Sequence, residues 1–318
     1  MPSHDAIRIG ISSCLLGEKV RFDGGHKRDP FLVDTFGAFV EWVPVCPEVE
    51  LGLGTPREAL RLIRKGDEIR MVNTKSGRDI SAEMRRWARA RVEALAGERL
   101  AGYVLKKDSP SCGMERVKVY GEAGMAEKNG RGLFAEALME RFPRLPVEEE
   151  GRLSDPRLRD NFVERVFAYV RLRALFESRW STGDMVRFHT AHKMALLAHS
   201  PQMYAELGRL VARAKSVDRA GLEERYRELF MDTLSKMATT RKHANVLLHM
   251  AGHFKELLDA DEKQELLGSV EDYRLGLVPL VVPLTLIKHH VRRHKVEYLA
   301  GQVYLDPHPK ELMLRNHV

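Results

Sequence analysis

The sequence predicts an α/β domain with a three-layer, mainly parallel sheet, followed by an all-α domain. Three observations predict it. Between residues 7 and 149 short apolar runs alternate with amphipathic helical ones, the pattern of a parallel sheet covered by helices. From about Ser154 strand signals vanish and long 3.6-residue periodicities take over. Between the two lies the polar break Glu148-Glu149-Glu150-Gly151. The domains are therefore expected at 1–152 and 153–318.

Residues 7–13 alternate as a strand and break at Cys14. The loop Val20-Arg21-Phe22-Asp23-Gly24-Gly25-His26-Lys27 follows, with Asp-Gly-Gly as its turn signal. Asp29 caps a short helix predicted over 30–39, with Pro30 at its first position. A second strand over 40–45 ends at Cys46, and Pro47, Gly52, Gly54 and Pro56 predict a loop beyond it. A short strand is expected at 69–73. The next helix starts at Asp79 or Ser81 and runs to about Ala96, with Met84, Ala88, Val92 and Leu95 on its apolar face. Strands are expected at 100–106, 117–120 and 145–149, with a helix at 130–142. The second domain predicts helices at 155–178, 182–198, 201–214, 218–236, 239–258, 260–273 and 284–300.

Composition limits the function. Residues 1–150 hold 25 Lys and Arg against 24 Asp and Glu, whereas residues 151–318 hold 27 against 21. The formal charge of +7 thus lies almost wholly in the second half, which also holds 11 of the 13 histidines. A basic domain suits a polyanion, and equally a solvated surface. The N-terminal stretch is polar and charged, with no apolar core of a signal peptide. The longest apolar stretch, 275–287, contains Pro279 and Pro283 and is too short for a bilayer. Three cysteines far apart in sequence cannot all form disulfides. A cytoplasmic protein with reduced thiols and no membrane partner is expected.

Those cysteines are the centre of interest. Cys14, Cys46 and Cys112 each follow a predicted strand, and strand carboxyl ends converge on the ligand crevice of an open α/β sheet. Their separations of 32 and 66 residues lack the short pair spacings of structural zinc. Spacing alone leaves open buried structural cysteines, zinc, and an iron–sulfur cluster with three thiolates and one vacant iron. The loops add chemistry. Glu48 lies two residues after Cys46, where it could manage a proton, and Ser109 and Ser111 precede Cys112 as relays or substrate contacts. A simpler reading makes Glu48 a solvated carboxylate and Ser109-Pro110 a turn.

The motifs Ser12-Ser13-Cys14-Leu15-Leu16-Gly17, Val20-Arg21-Phe22-Asp23-Gly24, Pro44-Val45-Cys46-Pro47-Glu48 and Lys107-Asp108-Ser109-Pro110-Ser111-Cys112-Gly113 together resemble the thiouracil desulfidase family, over roughly residues 5–150. Residues 185–302 resemble a helical domain found fused to it, with Phe188-His189-Thr190-Ala191-His192-Lys193 and the run Arg241 to His249 as its marks. The fused architecture resembles bacterial desulfidases acting on 4-thiouridine in tRNA. The resemblance implies a [4Fe-4S] cluster on Cys14, Cys46 and Cys112 whose open iron takes the substrate's thiocarbonyl sulfur. It implies that Glu48 and Ser109 assist catalysis, that water replaces sulfur without net electron transfer, and that hydrosulfide is released. Ser13, Arg21, Asp23, Gly24 and Ser111 are expected to contact the substrate.

In the helical domain, Arg241, Lys242, Lys288, Arg292 and Arg293 are the candidate RNA phosphate contacts. His189 and His192, and His249 and His253, share helix faces but lack a third metal ligand, so packed or solvated histidines are favoured. Three functions are weighed. They are desulfuration of 4-thiouridine in tRNA, the same chemistry on free thiouracil or a thionucleoside, and a non-catalytic, cluster-carrying nucleic-acid-binding protein.

Overall fold

The computed structural model describes residues 6–121 and 124–318, in two compact units, Met1–Ser154 and Asp155–Val318. Residues 1–5, part of the polar stretch read above as no signal peptide, lie outside the described residues.

The first unit contains, in order, β1 (Arg8–Ser12), β2 (Glu41–Val45), α1 (Pro47–Glu50), β3 (Leu60–Lys65), β4 (Glu68–Asn73), α2 (Ser81–Ala96), β5 (Gly102–Leu105), β6 (Val117–Tyr120), β7 (Ala126–Gly130), α3 (Leu133–Arg141) and β8 (Val147–Glu149). β2, β1, β5 and β8 form an all-parallel sheet in that order. Every residue of β5 is buried, as a strand covered on both faces requires. Gly10 is needed at the centre of β1. A Cβ there would lie 2.1 Å from the Tyr103 ring, which crosses it. Ser12 pairs with Val45 and Ile11 with Val104, so the carboxyl ends of β1, β2 and β5 are level.

A second sheet, in the order β4-β3-β6-β7, has antiparallel outer pairs and a parallel β3–β6 centre. Leu62, Met71, Met84, Val117, Val119 and Leu133 form its core. The sequence reading has no strand at β3 or β7, and this sheet is the main addition to the expected α/β architecture. The helix expected at 30–39 is instead a π-helical turn, Phe31–Thr35, followed by a 3₁₀ turn, Phe36–Ala38. The expected loop after Cys46 begins with the single turn of α1, where Pro47 occupies the first helical position.

The second unit is helical: α4 (Pro156–Glu177), α5 (Thr182–Ala191), α6 (Lys193–His199), α7 (Pro201–Ala212), α8 (Arg219–Ser235), α9 (Thr240–Ala251), α10 (Ala260–Arg274), α11 (Val281–His294) and α12 (Glu297–Ala300). Asp155, Ser181, Ser200, Asp218, Thr239 and Asp259 each cap the following helix through a side-chain oxygen. The helix expected at 182–198 is broken at His192, which leaves helical geometry between α5 and α6. The reason is packing. The buried His192 ring places Nδ1 2.8 Å from Phe188 O and accepts at Nε2 from Arg171 Nε at 3.2 Å. Among the described residues, no helix is long and apolar enough to cross a membrane.

Candidate functional site

A cavity of about 440 Å³ opens at the carboxyl ends of β1, β2 and β5, and all three cysteines line it. Each arrives by a different local device. Cys14 sits in a 3₁₀ turn, Ser13–Leu16, which Gly17 ends in the left-handed conformation (φ 99°). Cys46 is the residue before α1, its extended backbone leading into Pro47. Cys112 lies in the loop after β5, and that loop sits on the N-terminus of α3. Ser111 O accepts from the N–H groups of Phe134 (3.0 Å) and Ala135 (3.2 Å), and Pro110 O from that of Leu133 (3.1 Å). These are helix N–H groups that otherwise lack partners. Gly132 permits this seat, since a Cβ there would lie 2.4 Å from Ser111 O.

The thiols are free, with Cys14 8% and Cys112 5% exposed and Cys46 half-buried. Burial pushes the Cys14 thiol up to about 11, against the pull of Lys106 and Arg21. Burial likewise raises Cys46 and, more strongly, Cys112. A bare thiolate is therefore disfavoured at all three, and a bound cation would favour it. Three soft donors on one cavity fit an iron–sulfur cluster by their chemistry. Among the described residues, no three His, Cys, Asp or Glu side chains are grouped to hold a single metal ion.

Glu48, Ser109 and Ser111 face the same cavity. The Ser111 hydroxyl donates to Glu48 Oε1 at 2.5 Å, and Ser109 Oγ lies 3.0 Å from Ser111 Oγ. Ser109 Oγ also accepts from Cys112 N at 3.1 Å, which closes the turn ahead of Cys112. The other oxygen of Glu48 accepts from Arg57 Nε at 3.1 Å and is ion-paired with its Nη2. Arg57 is a site residue the sequence reading missed, for no spacing marks an arginine nine positions beyond Glu48. Lys106 is another. It lines the cavity, its ammonium pairs with Glu150, and its backbone N–H donates to Ser12 Oγ at 3.0 Å.

Of the residues expected to contact the substrate, Ser13, Arg21 and Ser111 line the cavity, whereas Asp23 and Gly24 do not. These two close a turn instead. Asp23 Oδ1 accepts from Gly25 N at 3.0 Å, Gly24 N donates to Arg21 O at 2.9 Å, and Gly24 has φ 76°. The Gly25 amide holds the exposed Asp23 carboxyl below its usual range.

In the helical unit, Arg241 and Arg292 are exposed. Lys288 pairs with Asp306 and Arg293 with Glu262 on the surface. Lys242 is not a free cation: its ammonium donates to His199 O at 2.6 Å and Met237 O at 3.3 Å, holding two helix ends. His189 and His192 are packed, at 8% and 2% exposure.

Comparison with known proteins gives three findings. Residues 9–150 match the family model described as 2-thiouracil desulfurase, and residues 193–309 match a protein family of unknown function (DUF1722). Two uncharacterized proteins are similar. YbgA of Escherichia coli (strain K12) is 34% identical over 163 residues, 50% of this chain and 95% of that protein. YbbK of Bacillus subtilis (strain 168) is 35% identical over 114 residues, 33% of this chain and 72% of that protein. Among solved structures, the [4Fe-4S]-dependent thiouracil desulfidase TudS is 34% identical, over 46% of this chain and 93% of that one, with a TM-score of 0.38. The relationship rests on the sequence match.

Proposed function

Because this chain belongs, through residues 9–150, to the 2-thiouracil desulfurase family, we propose that it hydrolyses the thiocarbonyl of a thiolated uracil, with 4-thiouridine in tRNA as substrate and uridine and hydrosulfide as products. The observation that carries the reading is the gathering of three free thiols, Glu48 and two seryl hydroxyls on one cavity. A [4Fe-4S] cluster held by Cys14, Cys46 and Cys112 would supply an iron without a protein ligand, a Lewis acid suited to a soft sulfur. The chain's own groups then handle water and protons. Glu48 takes a proton from the attacking water by way of Ser111. Ser109 passes a proton toward the departing sulfur. The balance is C=S plus water giving C=O, hydrosulfide and one proton, with no oxidant or reductant. Ser13 and Arg21 border the ring, and the reduced thiols support a cytoplasmic setting.

The basic helical half supports an RNA substrate. Arg241 and Arg292 are the proposed phosphate contacts, joined by Lys288 and Arg293, whose surface partners are exchangeable. Lys242 lies outside that set because its ammonium is held by two backbone carbonyls.

The test is anaerobic purification with iron and sulfide quantification, then sulfide release from thiouracil, 4-thiouridine monophosphate and thiolated tRNA. A brown protein that acts on tRNA is expected, and alanine at Cys14, Cys46 or Cys112 should remove both colour and turnover. A colourless zinc protein overturns the cluster reading. Turnover of free thiobases alone overturns the tRNA assignment.

A further inference from the structure

We infer that Arg57 is a positioning residue for this chemistry: it fixes the carboxylate of Glu48 by one oxygen so that the other faces the Ser111–Ser109 hydroxyl pair. The inference rests on the desulfidase reading above. Arg57 is 5% exposed along its side chain and Glu48 15%, so the pair is shielded from water at the cavity wall. Its guanidinium is shared among α1 and two loops. Nε and Nη2 go to Glu48 Oε2, and Nη1 donates to Val20 O and Gly54 O, both at 2.9 Å. The backbone N–H of Arg57 also donates to Phe22 O at 2.9 Å.

The geometry divides the carboxylate. Glu48 Oε2 has both of its close contacts from Arg57, while Oε1 accepts from Ser111 at 2.5 Å. A carboxylate free to rotate would offer either oxygen to the hydroxyls and would turn away from them part of the time. A planar fork anchored by two carbonyls removes that freedom, which a lysine, with a single point charge, cannot do. The described hydrogen bonds of the Arg57 side chain go to Glu48, Val20, Gly54 and Thr55, so it bears on the Ser111 hydroxyl through Glu48.

The test uses the anaerobically prepared, cluster-loaded full chain and its Arg57→Gln, Arg57→Lys and Arg57→Gly variants. Iron and sulfide per chain are measured beside kcat and KM for sulfide release from thiouracil. The expected result is unchanged iron content, KM within about threefold of the parent, and kcat lowered roughly tenfold or more. Lysine should recover little, and added guanidinium should restore part of kcat to Arg57→Gly. Three results overturn the inference: an unimpaired Arg57→Gln, a loss that follows loss of iron, or a rise in KM alone. A parent that releases no sulfide from any thiolated substrate overturns the desulfidase reading and this inference with it. An active parent with an active Arg57→Gln overturns only the inference.

Discussion

Glu48 has both oxygens committed before any substrate arrives, one to a guanidinium and one to a hydroxyl. Glutamine keeps its size but cannot take a proton. Glu48→Gln is expected to lower kcat by roughly 10²–10⁴ with iron content unchanged, read as sulfide release per cluster; turnover at the parent's rate would remove Glu48 from the chemistry. The two serines can be separated by a cycle. Ser109→Ala and Ser111→Ala are each expected to lower kcat. If the hydroxyls form one path, the double variant should lose little more than the worse single one. Fully additive losses would mean independent roles. Ser109→Ala also removes the acceptor for Cys112 N, so its iron content is the necessary control.

At the scale of elements, the seat of the Cys112 loop on α3 is the feature most sensitive to volume. A Cβ at Gly132 would meet backbone atoms on Ser111 O (2.4 Å) and Cys112 N (2.8 Å), which cannot swing aside as a side chain can. Gly132→Val is expected to cost on the order of 1–3 kcal/mol and to lower iron per chain. Chemical denaturation and iron assay check it, and a fully loaded variant would show that the seat is dispensable. Much of this architecture is legible in the sequence. The helix from Ser81 to Ala96 is announced by its apolar stripe, and the helical unit by its long 3.6-residue periodicities. β7 is not, because Ala126–Gly130 is polar and almost wholly exposed; it is a strand only through its pairing with β6. β3 alternates Leu60 and Leu62 with arginines, a signal weaker than its long-range partners β4 and β6. The cysteines, Glu48 and Ser109 are readable because each sits in a distinctive local motif. Arg57 and Gly132 are not, because the nine-residue step from Glu48 to Arg57 follows no helix or strand period, and Gly132 meets Ser111 only through the fold.

At the scale of the molecule, acid should destabilise the helical unit through its buried histidines. Burial lowers His192 and His243 to about 3 and His189 to about 4, from an ordinary value of 6.5. Arg171 also opposes a charge on His192. All three are neutral when folded and bind protons more readily when unfolded. Their stabilising effect is complete above about pH 6.5 and is lost progressively as pH falls toward 4. Each group contributes on the order of 1 kcal/mol per pH unit across that window. Far-UV circular dichroism melts at pH 7.5, 6 and 5 should show a falling Tm; a constant Tm over that range would refute the argument. Charge is the other global variable. Neutralising Arg241, Lys288, Arg292 and Arg293 together should weaken tRNA binding and flatten its salt dependence while sparing turnover of free thiouracil. Equal loss on both substrates would place these residues outside RNA recognition.

The strand order has a consequence for how the protein is made. β1, made before the other strands of its sheet, lies between β2 and β5, so the middle thiol, Cys14, waits for one neighbour 32 residues later and another 98 residues later. The wall that seats Cys112 is complete only when Leu133, Phe134 and Ala135 have also left the ribosome. Such non-local closure is slow compared with helix formation. The nascent chain therefore carries three reduced cysteines with no common cavity through most of the translation of its first unit. If the three cysteines hold the proposed cluster, its loading with iron and sulfide would belong after that point, to a folded chain rather than an emerging one.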